Sequence, residues 1–202
     1  MRSQTLAAAV MLACTLASAS ACRRADQPAA AAAVPAVPAQ PTYIPDATVK
    51  ELMVNIVDTS ADVVWLSVTT EVNEKGIVDT RPRNDEEWLK VRQGAITLAE
   101  AANLLMIPGR HVARAGEKSE TPGIELEPAE MEELINKDRA TWNARATALH
   151  DAAMLALRAA ESHDADKIFE VGETIEHACE SCHKTYWYPN EKLPEFPTNT
   201  AG

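Results

Sequence analysis

Aromatic residues are scarce in this chain of 202: four Trp, three Tyr and two Phe. Glycine is scarce too, with seven. A β-sandwich or barrel draws on aromatic and β-branched strands punctuated by turn glycines, so this mix argues against one and for helices. No stretch alternates apolar and polar residues long enough to read as a useful strand. Positive charge is short as well, with 19 Lys and Arg against 30 Asp and Glu, a net charge of −11. A general nucleic-acid binder needs a basic surface for the phosphates, so no nucleic acid is expected as a partner. No phosphate loop, Ser–His arrangement or pair of carboxylates suggests catalysis, and the chain does not read as an enzyme. Apolar residues at 46% and charged ones at 24% exclude both a coiled-coil rod and a wholly disordered chain. Cysteine occurs four times, at 14, 22, 179 and 182.

What is present falls into four parts. Residues 1–21 open with Met1-Arg2, continue through a short apolar run from Leu6 to Leu16, and close on Ala19-Ser20-Ala21 before Cys22. The run is too short to span a bilayer and reads as a secretory signal peptide. Cys22 admits two readings. A cysteine after small residues resembles a bacterial lipoprotein acceptor, although Ala19 stands where that motif usually has Leu; plain cleavage after Ala21 also fits. Residues 22–45 are rich in Ala, Pro and Val and read as a flexible to semi-extended tether. An exported, periplasmic protein is expected, held to a membrane if Cys22 carries lipid. Residues 1–45 hold three Arg against Asp26, a net +2, which leaves −13 on residues 46–202.

The segment 46–189 reads as four amphipathic helices. The first is expected over about 47–69, opened by the capping-box pair Thr48 and Glu51, with Val49, Leu52, Met53, Ile56, Val57, Val64 and Val68 as its stripe. The second runs over about 85–107 from Asn84 and Glu87, with Trp88, Val91, Ala95, Leu98, Ala102 and Leu105 inward. A loop over 108–126 follows, carrying Gly109, Gly116, Pro122 and Gly123. The third helix starts near Pro128 and reaches about Glu161, with Met131, Leu134, Ile135, Trp142, Leu149, Ala153 and Ala156 inward. The fourth, capped by Asp164, spans about 165–187 along Ile168, Gly172, Ile175, Cys179, Cys182 and Tyr186. Residues 190–202 read as an irregular tail. The expected fold is all-α, an antiparallel four-helix bundle.

The chemistry sits near the end. Cys179-Glu180-Ser181-Cys182-His183 is C-x-x-C-H, the attachment signature of a c-type haem. Each thiol adds to one haem vinyl group, and the adjacent imidazole takes the iron. On a helix, positions 179, 182 and 183 share one face. A thiol–disulfide oxidoreductase also uses C-x-x-C, but it wants a thioredoxin-like strand–helix setting that the sequence lacks. A zinc site would need further ligands at suitable spacing.

The run Asp164-Ala165-Asp166-Lys167, then Val171-Gly172, then Cys179-x-x-Cys182-His183 and Tyr186 resembles the end of the class II c-type cytochromes, the cytochrome c-prime family. The resemblance spans about residues 46–189, specific around the motif and architectural elsewhere, and the 108–126 loop is longer than usual. It implies one haem c per chain, covalently held near the C-terminus by Cys179 and Cys182, with His183 as the proximal iron ligand. It implies that the distal position faces the first helix. Some members place a Met there and carry electrons; others place an apolar residue and leave the iron open to gases such as nitric oxide or carbon monoxide. Met53 is the candidate distal ligand, and a shift of one turn would put Ile56 there instead. His111, His150, His163 and His177 are expected at the surface, not as ligands. Redox partner proteins with basic docking surfaces suit the acidic exterior. The resemblance also implies pairing of two copies through the first two helices.

Overall fold

A computed structural model describes residues 43–74 and 76–191 of the chain. The signal segment, Cys22, nearly all of the tether and the tail from residue 192 lie outside the described residues. The described part is mostly helical. The first helical stretch is built as α1 (Val49–Leu52), a π-helical segment (Met53–Val57) and α2 (Asp58–Trp65). Strands β1 (Thr69–Asn73) and β2 (Gly76–Thr80) follow, then α3 (Asp85–Leu105), α4 (Pro128–Lys137), α5 (Arg139–Glu161) and α6 (Ala165–Tyr186).

Each helix start has a local cause. Thr48 Oγ1 accepts the Glu51 N–H at 3.1 Å, and the Glu51 carboxylate takes the Thr48 N–H at 2.8 Å, the reciprocal capping box expected there. Asn84 accepts from the Glu87 N–H at 3.0 Å and Asp164 from the Lys167 N–H at 2.9 Å. Pro128 stands in the first turn of α4, where its missing N–H costs nothing. The 108–126 loop also supports the first helix. Its His111 and Val112 carbonyls accept the otherwise orphaned N–H groups of Val49 and Lys50 at 2.9 and 3.0 Å. Trp142 Nε1 and Arg139 close the far end of α3 by donating to the Leu105 and Met106 carbonyls at 2.8 and 2.9 Å.

Four expectations are corrected. The first helix ends at Trp65, not near 69, and the following residues form an antiparallel hairpin instead of a loop, with Thr69 opposite Thr80 and Asn73 opposite Gly76. Nearly every described residue of this hairpin is exposed, so no buried face imposed an apolar–polar alternation. Its signal was the density of Thr, Val and Ile, which suits a pleated backbone. Gly76, at φ +102°, takes the turn exit that L side chains avoid. The third expected helix is broken into α4 and α5 at Asp138. Its carboxylate takes the Thr141 N–H and hydroxyl at 3.0 and 2.7 Å, offering the chain a cap in place of helical continuity. Leu134, expected inward, is exposed.

Two apolar clusters fill the interior. The larger joins α2, α3, α5 and α6 through Val64, Leu98, Ala153, Ala156, Ile168 and Ile175, among others. The smaller gathers Leu52, Leu105, Val112, Ile135, Trp142, Ala146 and Tyr186. Met53 and Ile56 pack against both. Among the described residues no helix is long and apolar enough to cross a membrane.

Candidate functional site

α6 buries Ile168, Val171, Ile175, Ala178 and Tyr186 along one side. The helical period then brings Cys179, Cys182 and His183, at i, i+3 and i+4, to the wall of a cleft of about 1170 Å3. That exceeds the roughly 300–1,000 Å3 of an ordinary small-molecule site. Apolar side chains from several elements line it, among them Val57, Ala61, Leu105, Ala146, Leu149 and Ile168. Met53, in the π-helical segment, lines the same cleft, whereas Ile56 does not. Single π turns inside helices occur often at functional sites. A neighbouring pocket of about 290 Å3 shares Met53, Trp142, Cys182 and His183 with the cleft.

The thiols are free, and burial governs their chemistry. It pushes Cys179 up to about 11 and Cys182 up to about 12, with the neighbouring Glu180 charge adding to the shift at Cys179. Burial also lowers the His183 pKa, against the opposing pull of the Glu180 carboxylate, so the imidazole is biased toward the neutral form that a metal requires. Redox-active C-x-x-C thiols have depressed pKa values; burial raises both of these, and at Cys182 it outweighs the opposing pull of the Arg145 cation.

Sequence reasoning missed several residues of the cleft. Trp65 lines it and donates its indole N–H to the Gly172 carbonyl at 3.1 Å. A Cβ on Gly172 would meet Trp65 Cδ1 at 3.2 Å, so the glycine permits this close approach. Arg145, on α5, also lines the cleft. Its Nε is buried and, among the described residues, has no hydrogen-bond partner; Asn143 Oδ1, two residues earlier, is orphaned in the same way. The sequence did offer a signal for Arg145, a cation three residues after Trp142 and next to Ala146, on the edge of an apolar stripe. Glu180 and Tyr188, beside His183, were likewise unassigned.

This donor set fits a c-type haem. Among the described residues no three His, Cys, Asp or Glu side chains gather to hold a metal ion. A porphyrin brings its own four equatorial nitrogens and asks the protein only for axial ligands, which is what one imidazole and one thioether can supply. The apolar lining suits a macrocycle, and the orphaned Nε of Arg145 suits an anionic substituent such as a propionate. The other histidines lie elsewhere. His111 contacts Glu132 at 3.0 Å, and His150 contacts Asp151 at 3.2 Å while half-buried. His163 stacks on Trp88 at 5.0 Å, and His177 is exposed.

Comparison with models of known protein families, with curated proteins and with solved structures finds no match to this chain.

Proposed function

We propose that the protein is an exported c-type cytochrome of the class II kind, a four-helix bundle that carries electrons through one covalently held haem. In this reading the first helical stretch, α3, α4 with α5, and α6 are its four arms. The observation that carries the proposal is the convergence of Cys179, Cys182 and His183 with Met53 on one large apolar cleft. Cys179 and Cys182 would hold the haem through thioether bonds, His183 would be the proximal ligand, and Met53 is the candidate distal ligand. The bound haem supplies the one-electron chemistry. The chain supplies the rest. Thioether ligation raises the potential, and the low-dielectric lining disfavours added charge at the iron. The Arg145 cation opposes the charge of any carboxylate placed beside it.

Support for Met53 over Ile56 comes from its place on the cleft wall. Support for haem over a dithiol catalyst comes from the setting of both thiols, half-buried in an apolar wall that raises their pKa instead of lowering it. The signal peptide and the lipid on Cys22 belong to the same proposal; they would place the protein in the periplasm, tethered if Cys22 is acylated. The excess of acidic residues would steer it toward redox partners with basic docking surfaces, at rates that fall with salt.

The test is expression of the full chain with its leader in a host that matures c-type cytochromes. The expected result is a covalent haem adduct by intact mass and a low-spin reduced spectrum that carbon monoxide leaves unchanged. In Met53→Ala the reduced spectrum becomes high-spin and shifts with carbon monoxide. A wild-type spectrum that is already high-spin and gas-responsive replaces the electron carrier with the gas-binding alternative. Titratable thiols at Cys179 and Cys182 without a haem mass would reject both in favour of a thiol–disulfide enzyme.

A further inference from the structure

A small network stands beside His183. The Tyr188 hydroxyl donates to Glu180 Oε1 at 2.6 Å, and Lys184 Nζ lies 3.3 Å from Glu180 Oε2. The same Glu180 Oε1 stands 3.9 Å from His183 Nδ1. That gap is beyond hydrogen-bond range and closes with a modest ring rotation or one bridging water. The imidazole is further bracketed by two aromatic rings: Trp187 edge-on at 5.0 Å and 89°, and Tyr188 at 5.8 Å. The end of α6 is itself tied down, since the Trp187 carbonyl accepts the Leu126 N–H at 2.8 Å and the Trp187 and Tyr188 N–H groups both reach the His183 carbonyl. Helical spacing of three residues puts Glu180 beside His183, and the chain reversal after Tyr186 returns Tyr188 to hold Glu180 in place.

We propose that Glu180, held by Tyr188 and Lys184, is the positioning residue for His183: it takes the Nδ1–H, fixes that tautomer, leaves Nε2 for the iron, and raises the basicity of the imidazole. The inference rests on the cytochrome reading and adds to it a residue that sets the potential. A carboxylate behind a metal-bound imidazole fixes its tautomer and orientation and strengthens its donation to the metal. A stronger donor favours the oxidised iron and lowers the midpoint potential. Tyr188 works in the opposite sense. By donating to Glu180 it draws charge away from the oxygen nearest His183, so the pair forms a graded control.

The experiment uses the matured full-length holoprotein and compares Glu180→Gln, Tyr188→Phe and Glu176→Gln. Glu176 lines the same cleft and is exposed, so its variant removes an equal charge without touching the network. Glu180→Gln is expected to raise the midpoint potential, by roughly tenfold in the reduction equilibrium constant. Tyr188→Phe is expected to lower it, because the freed carboxylate pulls harder on Nδ1–H. Glu176→Gln is expected to shift it upward by much less. The exchangeable Nδ1 proton of His183, followed by NMR in the reduced protein, should move in opposite directions in the first two variants and stay in the third. A potential that rises or stays put in Tyr188→Phe overturns the inference, as does a Glu180→Gln shift no larger than that of Glu176→Gln. If Glu180→Gln does not mature, the sign of the Tyr188→Phe shift still decides. A wild-type chain that acquires no covalent haem sinks the cytochrome reading itself, a failure distinct from a holoprotein whose potential ignores Tyr188.

Discussion

The seam between α3 and α5 and the face of α6 beside the π-helical segment are packed on opposite principles. Along α3 and α5, Ala95, Leu98, Ala102, Ala153 and Ala156 are all at 0% exposure. Alanine pairs let two backbones approach closely and leave little void. On the other side Trp65, Phe169, Met53, Cys179 and Cys182 line a cleft of about 1170 Å3. The close-packed seam gives rigidity without needing a ligand. The open one lines its space with apolar surface, two half-buried thiols and an arginine whose Nε has no partner among the described residues, groups left incompletely packed or paired until something fills the space. A close-packed seam and an open cleft are built from the same kind of helix, and side-chain size separates them.

That contrast can be broken by substitution. The largest effect is expected at Leu98, where Leu98→Ala leaves a cavity the surrounding alanines cannot collapse into. It should cost about 3 kcal/mol in urea unfolding of the protein, and a loss under about 1 kcal/mol would mean the seam is not close-packed. Gly94→Ala comes next. Its new Cβ would stand 2.7 Å from Val63 Cγ1 and 3.1 Å from the Ser60 carbonyl. The clash should outweigh the gain in helix propensity, for a net loss of about 1–2 kcal/mol by the same measurement. Thr48→Ala removes the capping box at the entrance to the first helical stretch, and about 1 kcal/mol should be lost. The smallest effect is expected at Gly172→Ala on the cleft side. There the neighbour is Trp65, whose ring borders open space and can shift, so steric strain and helix propensity should nearly cancel, to within about 0.5 kcal/mol. Gly94 faces α2, so if Gly172→Ala costs as much as Gly94→Ala, the cleft wall is as rigid as the close α2–α3 contact and the comparison fails.

The legible parts were those with a local cause. Thr48, Asn84 and Asp164 cap where their side chains can reach the N–H three residues on, and Pro128 opens α4 for the same local reason. The inward residues of α3 repeat at three and four, and every one expected to be buried is buried. The C-x-x-C-H spacing already placed Cys179, Cys182 and His183 on one helical face. The hairpin was not legible, because strands exposed on both faces carry no alternation. Nor was the break at Asp138, since an Asp inside an apolar-periodic run reads as a solvent-facing helical residue until its carboxylate is seen to take the Thr141 N–H. Arg145, Trp65 and Tyr188 were missed for a further reason: each matters through a partner or a cavity on another element or beyond a chain reversal.

The sequence by itself determined where the first helical stretch, α3, α4 and α6 begin, which face α3 buries, and which three residues carry the haem-attachment signature, because caps and periodicity act within one or two turns. The tertiary structure alone decided that Met53 and not Ile56 borders the cleft. Both residues lie inside the π-helical segment, whose wider turn changes the angle between positions three apart, and a stripe of apolar residues read at the α-helical period does not resolve that. It also decided that Arg145 stands at the cleft wall with its Nε unpartnered among the described residues, and that Glu180 is held beside His183 by Tyr188. Those facts depend on which side chains several elements bring within a few ångströms, a distance set by packing and not by spacing along the chain.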